Sequence, residues 1–368
     1  MSNHKGWVHR TRQIIFSLPI AMLAPAGMAS AETAAGTNFD EILAGAKTEG
    51  KLTVWGSFPQ KTETHAALIK AFNERFGLET QLEWVPNPPI TSNSRALTEK
   101  AGGGSVSMDI IAGSSMEDTV LMADQGLITK FPWTEVFGEQ LPAIKDLEEQ
   151  MFDEYRDVAL PYYVIAYGFG WNPNFIDDAD VPETYDDLLD PKWKGKIGFN
   201  SFFAPININS YVIGYDGAVE YAKALFANQP VFEKGTLAVQ NAVISGAVPF
   251  GVINSIGAFT SERTGEPLKF KLPSDIIALS NLHIYVPEGA PHPNTARLFT
   301  AWMAVEGATV GDAYEPMVRP GDKSADLVRM IEERVAATGA KVSQVSGPED
   351  LETSERVNKT LADIVAGK

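Results

Sequence analysis

The 368-residue chain has no cysteine, which excludes disulfides, thiol nucleophiles, thiolate metal sites and a lipid-anchored cysteine. Basic residues are scarce as well: 30 lysines and arginines stand against 47 acids, for a formal net charge of −17. That balance disfavours nucleic acid and anionic membrane surfaces as partners. It does not disfavour a small anion, because a local pocket can be rich in donors within an acidic protein. Gly-x-Ser-x-Gly, His-Glu-x-x-His and Gly-x-x-x-x-Gly-Lys-Ser/Thr patterns are all missing. Neither His283 nor His292 has a nucleophile beside it in sequence. No catalytic residue is therefore named, and catalysis is not expected.

Long apolar runs are confined to the amino terminus. His9, Arg10 and Arg12 precede an apolar stretch over residues 14–24, and Ala29-Ser30-Ala31 supplies the small residues of a cleavage site before Glu32. Residues 1–31 thus read as a cleavable export signal, too short in its apolar part to span a bilayer. Without that leader, which holds Lys5, Arg10 and Arg12 but no acid, 27 bases face 47 acids. A soluble, periplasmic protein is expected, large enough to be held by core burial rather than by disulfides.

What is present is organised around residues 51–77. Leu52-Thr53-Val54-Trp55 is a short β-prone run, broken by Gly56, Ser57 and Pro59. Leu68, Ile69, Phe72 and Phe76 then recur at helical spacing, and Gly77 provides a stop. This is a strand, a loop and a helix, and in an open α/β sheet such a loop lies at the ligand-binding ends of the strands. A second strand is expected over 80–85, a helix over 94–100 and a buried strand over 108–112. Ser114 and Ser115 precede a helix over 116–125, whose Glu117 and Asp118 suit the helix dipole. A serine N-cap explains one hydroxyl and leaves the other free. The aromatic, β-rich segment 158–172 is long enough to cross between domains. Residues 324–368 read as two amphipathic helices split by Gly347-Pro348 and packed against the first domain.

Three segments carry a resemblance. Asp187-Leu188-Leu189-Asp190-Pro191-Lys192-Trp193-Lys194-Gly195-Lys196-Ile197-Gly198-Phe199 resembles the signature that follows the first interdomain crossing in periplasmic solute-binding proteins of ABC importers. It is similar in particular to the group of ferric-ion, polyamine, thiamine, phosphonate and sugar-phosphate binders. Residues 244–251 resemble the strand leading to that group's second-domain ligand loop. Residues 286–294, running into 296–304 with Leu298, Phe299, Trp302 and Met303, resemble its return segment. The resemblance implies an α/β type 2 periplasmic-binding-protein fold, with two lobes joined by two crossing segments and closing by hinge motion. Lobe 1 is placed at 38–160 plus 275–368 and lobe 2 at 161–274.

The resemblance also implies a monomer with no cofactor, a small-molecule ligand and a membrane permease as partners. Four loops then converge on the cleft, bringing Ser57 and Phe58, Ser114 and Ser115, Asn200 and Ser201, and Asn254 and Ser255, with Tyr163 near the crossing. Short hydroxyl and amide donors with few fixed charges suit a carboxylate, phosphonate or phosphate ester. Arg95, Arg156 and Arg263 are candidate charge partners. Ferric ion and polyamine are the alternatives. Against iron, Asn254-Ser255-Ile256-Gly257 lacks the adjacent tyrosines of the ferric branch, and His65, Glu63 and the pair Tyr162-Tyr163 are poor substitutes. No metal ligand is therefore named. Against polyamine, Asp109 and Glu117 have structural explanations, and the aromatics Trp55, Phe58, Phe202 and Phe203 read first as core.

Overall fold

A helix over Phe39–Glu49 leads into the opening unit. Asn38 Oδ1 accepts from the Glu41 amide at its start, and Gly50 ends it at φ 60°. The computed structural model describes residues 36–367, so the expected export signal lies outside the described residues. Strand β1 (Lys51–Gly56) alternates exposed and buried positions, with Leu52 and Val54 inside. The helix Thr62–Phe76 buries Leu68, Phe72 and Phe76 and stops at Gly77, φ 64°. Phe72 meets Phe299 and Trp302 at ring separations of 5.1 and 5.6 Å. This ties the opening helix to Pro293–Trp302, the helix expected to carry Leu298, Phe299 and Trp302 inward.

Strands β2 (Gln81–Pro86) and β3 (Ile110–Ser114) flank β1 in parallel. The helix between them runs over Pro89–Ala101, five residues earlier than the spacing indicated. Pro89 sits in its first turn, where the missing amide is no loss, so the helix opens directly on the prolines that follow β2. β3 begins two residues later than expected, because Asp109 does not belong to the strand ladder. Its buried carboxylate accepts from the amides of Thr53 and His292, both at 2.7 Å, and from His292 Nδ1 at 3.0 Å.

The remaining strands are β4 (Leu160–Trp171), β5 (Ile197–Asn200), β6 (Val231–Glu233), β7 (Phe250–Asn254), β8 (Lys269–Lys271), β9 (Ile276–Tyr285) and β10 (Lys341–Ser343). The sheet runs β2-β1-β3-β9-β4-β7-β5-β6, with β10 on β9 and β8 on β4. β4 is buried along its whole length. It pairs antiparallel with β9 through residues 160–166 and with β7 through residues 167–171. The segment 158–172, expected to cross between domains, and the return strand β9 are therefore neighbours in one sheet.

The Asp326–Thr338 and Pro348–Val365 helices form as two amphipathic units, with β10 between them as an addition. Packing of the last helix departs from the expectation. Val357 and Leu361 are buried with Phe169, Phe199 and Leu225, beside the helix Ile206–Ala227, while Leu351 lies against the cluster of Met116 and Tyr285. The amphipathic stripe specifies that a face is buried, not which neighbour covers it. The Ile206–Ala227 helix itself kinks at Gly214, whose φ of 73° and ψ of 171° leave the helical region.

Replacing Asp109 by Ala leaves the Thr53 and His292 amides without their buried acceptor. The variant should lose about 2–4 kcal/mol of stability by urea denaturation. An unchanged denaturation midpoint would show that the carboxylate contributes nothing to joining β1, β3 and the return segment.

Candidate functional site

The end of β3 turns directly into the helix Met116–Asp124. Ser115 caps that helix, its Oγ accepting from the Asp118 amide at 3.1 Å. Ser114, the other hydroxyl of the pair, is buried, and its carbonyl faces His283 Nδ1 at 3.3 Å. Gly113 makes the turn possible at φ 95°, and a Cβ there would stand 2.3 Å from Ser57 Oγ. The β1 and β3 loops therefore touch through a residue with no side chain.

At the end of β5, Asn200 builds a knuckle. Its Oδ1 accepts from the Phe202 amide at 3.1 Å and its Nδ2 donates to the Ala204 carbonyl. Phe203 takes a left-handed φ of 60°, and Phe202 is thrust out, 62% exposed. Between this knuckle and the Met116–Asp124 helix lies a cleft of about 670 Å³. Tyr167 of β4 and Leu279, Ser280 and Asn281 of β9 line it from the crossing strands; Asn207 and Tyr211 contribute from the Ile206–Ala227 helix. Ser354, Glu355 and Asn358 of the last helix complete the wall.

Three carboxylates border this cleft: Glu117, Asp118 and Glu355. Among the described residues that line it, none is lysine, arginine or histidine. Glu117 Oε1 accepts from the Tyr211 hydroxyl at 3.1 Å. Burial, and then the neighbouring Glu117 charge, hold the Asp118 carboxyl above the usual carboxylate range. The Asp118 amide already donates to Ser115, and first-turn acids occupy the positive end of the dipole.

Of the nine residues read as site candidates, Ser115 and Ser201 line the cleft. Phe58 stacks parallel to Tyr163, ring centroids 6.1 Å apart, and Tyr163 donates to the Pro316 carbonyl. Ser57, Ser114 and Asn200 shape the loops as described. Asn254 caps the helix Ser255–Thr264 through the Gly257 amide at 3.1 Å and donates to Thr236 Oγ1 at 3.0 Å. Ser255 is buried, with its hydroxyl accepting from the Ala166 amide at 3.2 Å. Short polar side chains at strand ends serve the backbone first, which is why most of these point inward.

The candidate arginines are engaged elsewhere. Arg95 pairs with Glu99 at 2.7 Å and covers the Trp55 ring, Arg156 pairs with Asp153, and Arg263 pairs with Asp312 at 2.8 Å. Tyr162 donates to the Phe58 carbonyl at 2.9 Å, and burial raises the pKa of both Tyr162 and Tyr163. His283 is pushed down to about 4 by burial and stays neutral at pH 7. His65 stacks on Trp84 at 4.6 Å, with Nε2 at 2.9 Å from the Pro59 carbonyl. Tyr167, Tyr211, Asn281 and Asn358 were not legible as cleft residues. Glu117 and Asp118 were legible, but only as dipole partners.

Several solved structures share this fold. Iron-bound HitA from Pseudomonas aeruginosa is 20% identical, with a TM-score of 0.65 over 85% of this chain and 99% of that one. AfuA from Actinobacillus pleuropneumoniae, with exogenous fructose-6-phosphate bound, is 16% identical, with a TM-score of 0.62 over 86% and 98%. The spermidine/putrescine ABC transporter substrate-binding protein PotD from Streptococcus pneumoniae is 15% identical, with a TM-score of 0.57 over 85% and 98%. At such identities the likeness establishes the fold, the type 2 periplasmic-binding architecture expected from the three segments. The family model described as bacterial extracellular solute-binding protein matches residues 67–320, and this chain belongs to that family.

Proposed function

We propose that this protein is the periplasmic solute-capturing component of an ABC importer, and that its solute is a small organic cation. The observation that carries the cation is the charge of the cleft: three carboxylates and no basic side chain among its described lining residues. An anion, the expectation drawn from hydroxyls and helix N-termini, would be repelled by on the order of 1–4 kcal/mol per carboxylate at contact distance. A cation reverses that sign. Tyr167, Phe202, Phe203 and Tyr211 add aromatic surface able to cover alkyl segments or attract an ammonium group. A fold neighbour, PotD, is named for spermidine and putrescine, so amine capture is compatible with this architecture.

In this reading lobe 1 (38–160 plus 275–347) and lobe 2 (161–274, with the last helix Pro348–Val365 packed on it) close over the solute by bending β4 and β9. The Tyr211–Glu117 and Arg263–Asp312 bonds, at 3.1 and 2.8 Å, then span the lobes and hold the closed form. The partner is a membrane permease that receives the loaded, closed protein. Both the family and the leader read in the sequence support a periplasmic location.

A thermal-shift screen of ligand-stripped protein tests the class, since binding to the native state alone raises the midpoint by mass action. Amines should raise Tm while carboxylates, phosphonates and phosphate esters should not; a shift confined to the anions reverses the assignment.

Glu117→Gln should weaken amine binding about tenfold, read by calorimetric titration, because a charge-assisted contact becomes a neutral one. Asp118→Asn should weaken binding likewise, yet raise the Tm of the unliganded protein at neutral pH. The sign follows from linkage: a carboxyl whose pKa is raised on folding keeps its stability contribution at low pH and loses it as pH rises through the folded value. Amine affinity should conversely fall as pH drops through that same range, and the Asp118→Asn titration should lose this pH dependence.

A further inference from the structure

Two large apolar side chains of this cleft stand in water. Ile90, on the helix Pro89–Ala101, is 70% exposed; Phe202, on the β5 knuckle, is 62% exposed; both line the cleft. The backbone beneath each is fixed. Ile90 follows Pro88 and Pro89, whose rings lock φ, and the Phe202 amide is tied to Asn200 Oδ1 just before the left-handed Phe203. A single exposed apolar side chain on a surface needs no explanation, but two on one cleft, with half-buried Leu279 and Val345 in the same lining, make an apolar region of it. The Tyr211–Glu117 bond already joins the helices Ile206–Ala227 and Met116–Asp124 at 3.1 Å, and Ile90 and Phe202 stay uncovered with that contact made. Charge is placed unevenly in the same space. Glu117 and Asp118 are adjacent and half-buried on one helix, whereas Glu355 is exposed on the last helix, where water screens it.

We propose that the solute is an amphipathic monoamine, with one ammonium held at Glu117 and Asp118 and an alkyl or aryl tail laid over Ile90 and Phe202, and not a diamine or polyamine. The proposal rests on the cation reading and sharpens it. A cleft of about 670 Å³ is far larger than an ammonium head, so most of it is filled by the rest of the solute. A second ammonium at the far end would be carried against Ile90 and Phe202, giving up water without gaining a partner. A methyl or a ring there removes apolar surface from water on both sides of the contact.

A matched tail series tests it: n-propylammonium, n-hexylammonium, hexamethylenediammonium and hexanoate, titrated at millimolar concentration into the ligand-stripped full chain by calorimetry and ligand-observed NMR. The hexyl compound should bind about tenfold or more tighter than the propyl one, through burial of three further methylenes, and tighter than the diamine of equal length. Ile90→Ser and Phe202→Ser should each weaken n-hexylammonium by about fivefold and n-propylammonium by less, narrowing the ratio. Both side chains are exposed, so the variants should fold, which circular dichroism checks. Equal affinity for the two monoamines, tighter binding of the diamine, or an equal loss for both monoamines in the variants overturns the tail assignment and leaves the cation reading standing. Binding of hexanoate alone, or of none of the four, overturns both.

Discussion

A single strand divides its hydrogen bonds between two halves of the sheet, and the rest of the molecule depends on that division. β4 is buried at all twelve positions, so every backbone amide and carbonyl in it must find a partner without help from solvent. It does so by pairing with β9 over residues 160–166 and with β7 over residues 167–171. β7 ends at the handover, Asn254 beside Tyr167, while β3 ends at Ser114 beside His283 of β9, level with Pro161 of β4. The cleft is lined from both halves, by Ser115 after β3, by Tyr167 of β4 and by Leu279, Ser280 and Asn281 of β9. Ser255 reinforces the handover by accepting the Ala166 amide.

The cleft wall is built against stability. Glu117 and Asp118 are adjacent and half-buried, and Asp118 is held above the ordinary carboxylate range by burial and its neighbour's charge. Asn281 and Asn358 keep buried oxygens unpaired. A left-handed Phe203 sits in the same wall.

Much of the architecture was legible in the chain. The stripe Leu68, Phe72, Phe76 with Gly77 after it specifies a helix and its end, because burial follows spacing and only glycine takes the left-handed stop easily. The segment around Asp187–Phe199 and the return helix bearing Phe299 and Trp302 carried the family, and the family match agrees. The helix at Pro89 was hidden because proline signals both a break and a first turn. β10 was hidden because three residues hold no periodicity. Ser57, Ser114, Asn200, Asn254 and Ser255 looked like ligand donors for a local reason: strand-end polar residues are the same whether they face a solute or satisfy a neighbouring amide.

Pattern along the chain was enough for the strand-loop-helix units, their order and the kinship with solute-binding proteins, since these rest on spacing, on turn chemistry and on motifs contiguous in sequence. The charge of the cleft was settled only by folding. Glu117 and Glu355 are separated by more than two hundred positions, and nothing between them signals that the last helix packs beside Ile206–Ala227 and so faces the capped end of Met116–Asp124. Electrostatic sign is a sum over neighbours in space. A helix face that reads as solvated in one dimension becomes a ligand wall when a third element covers its other side.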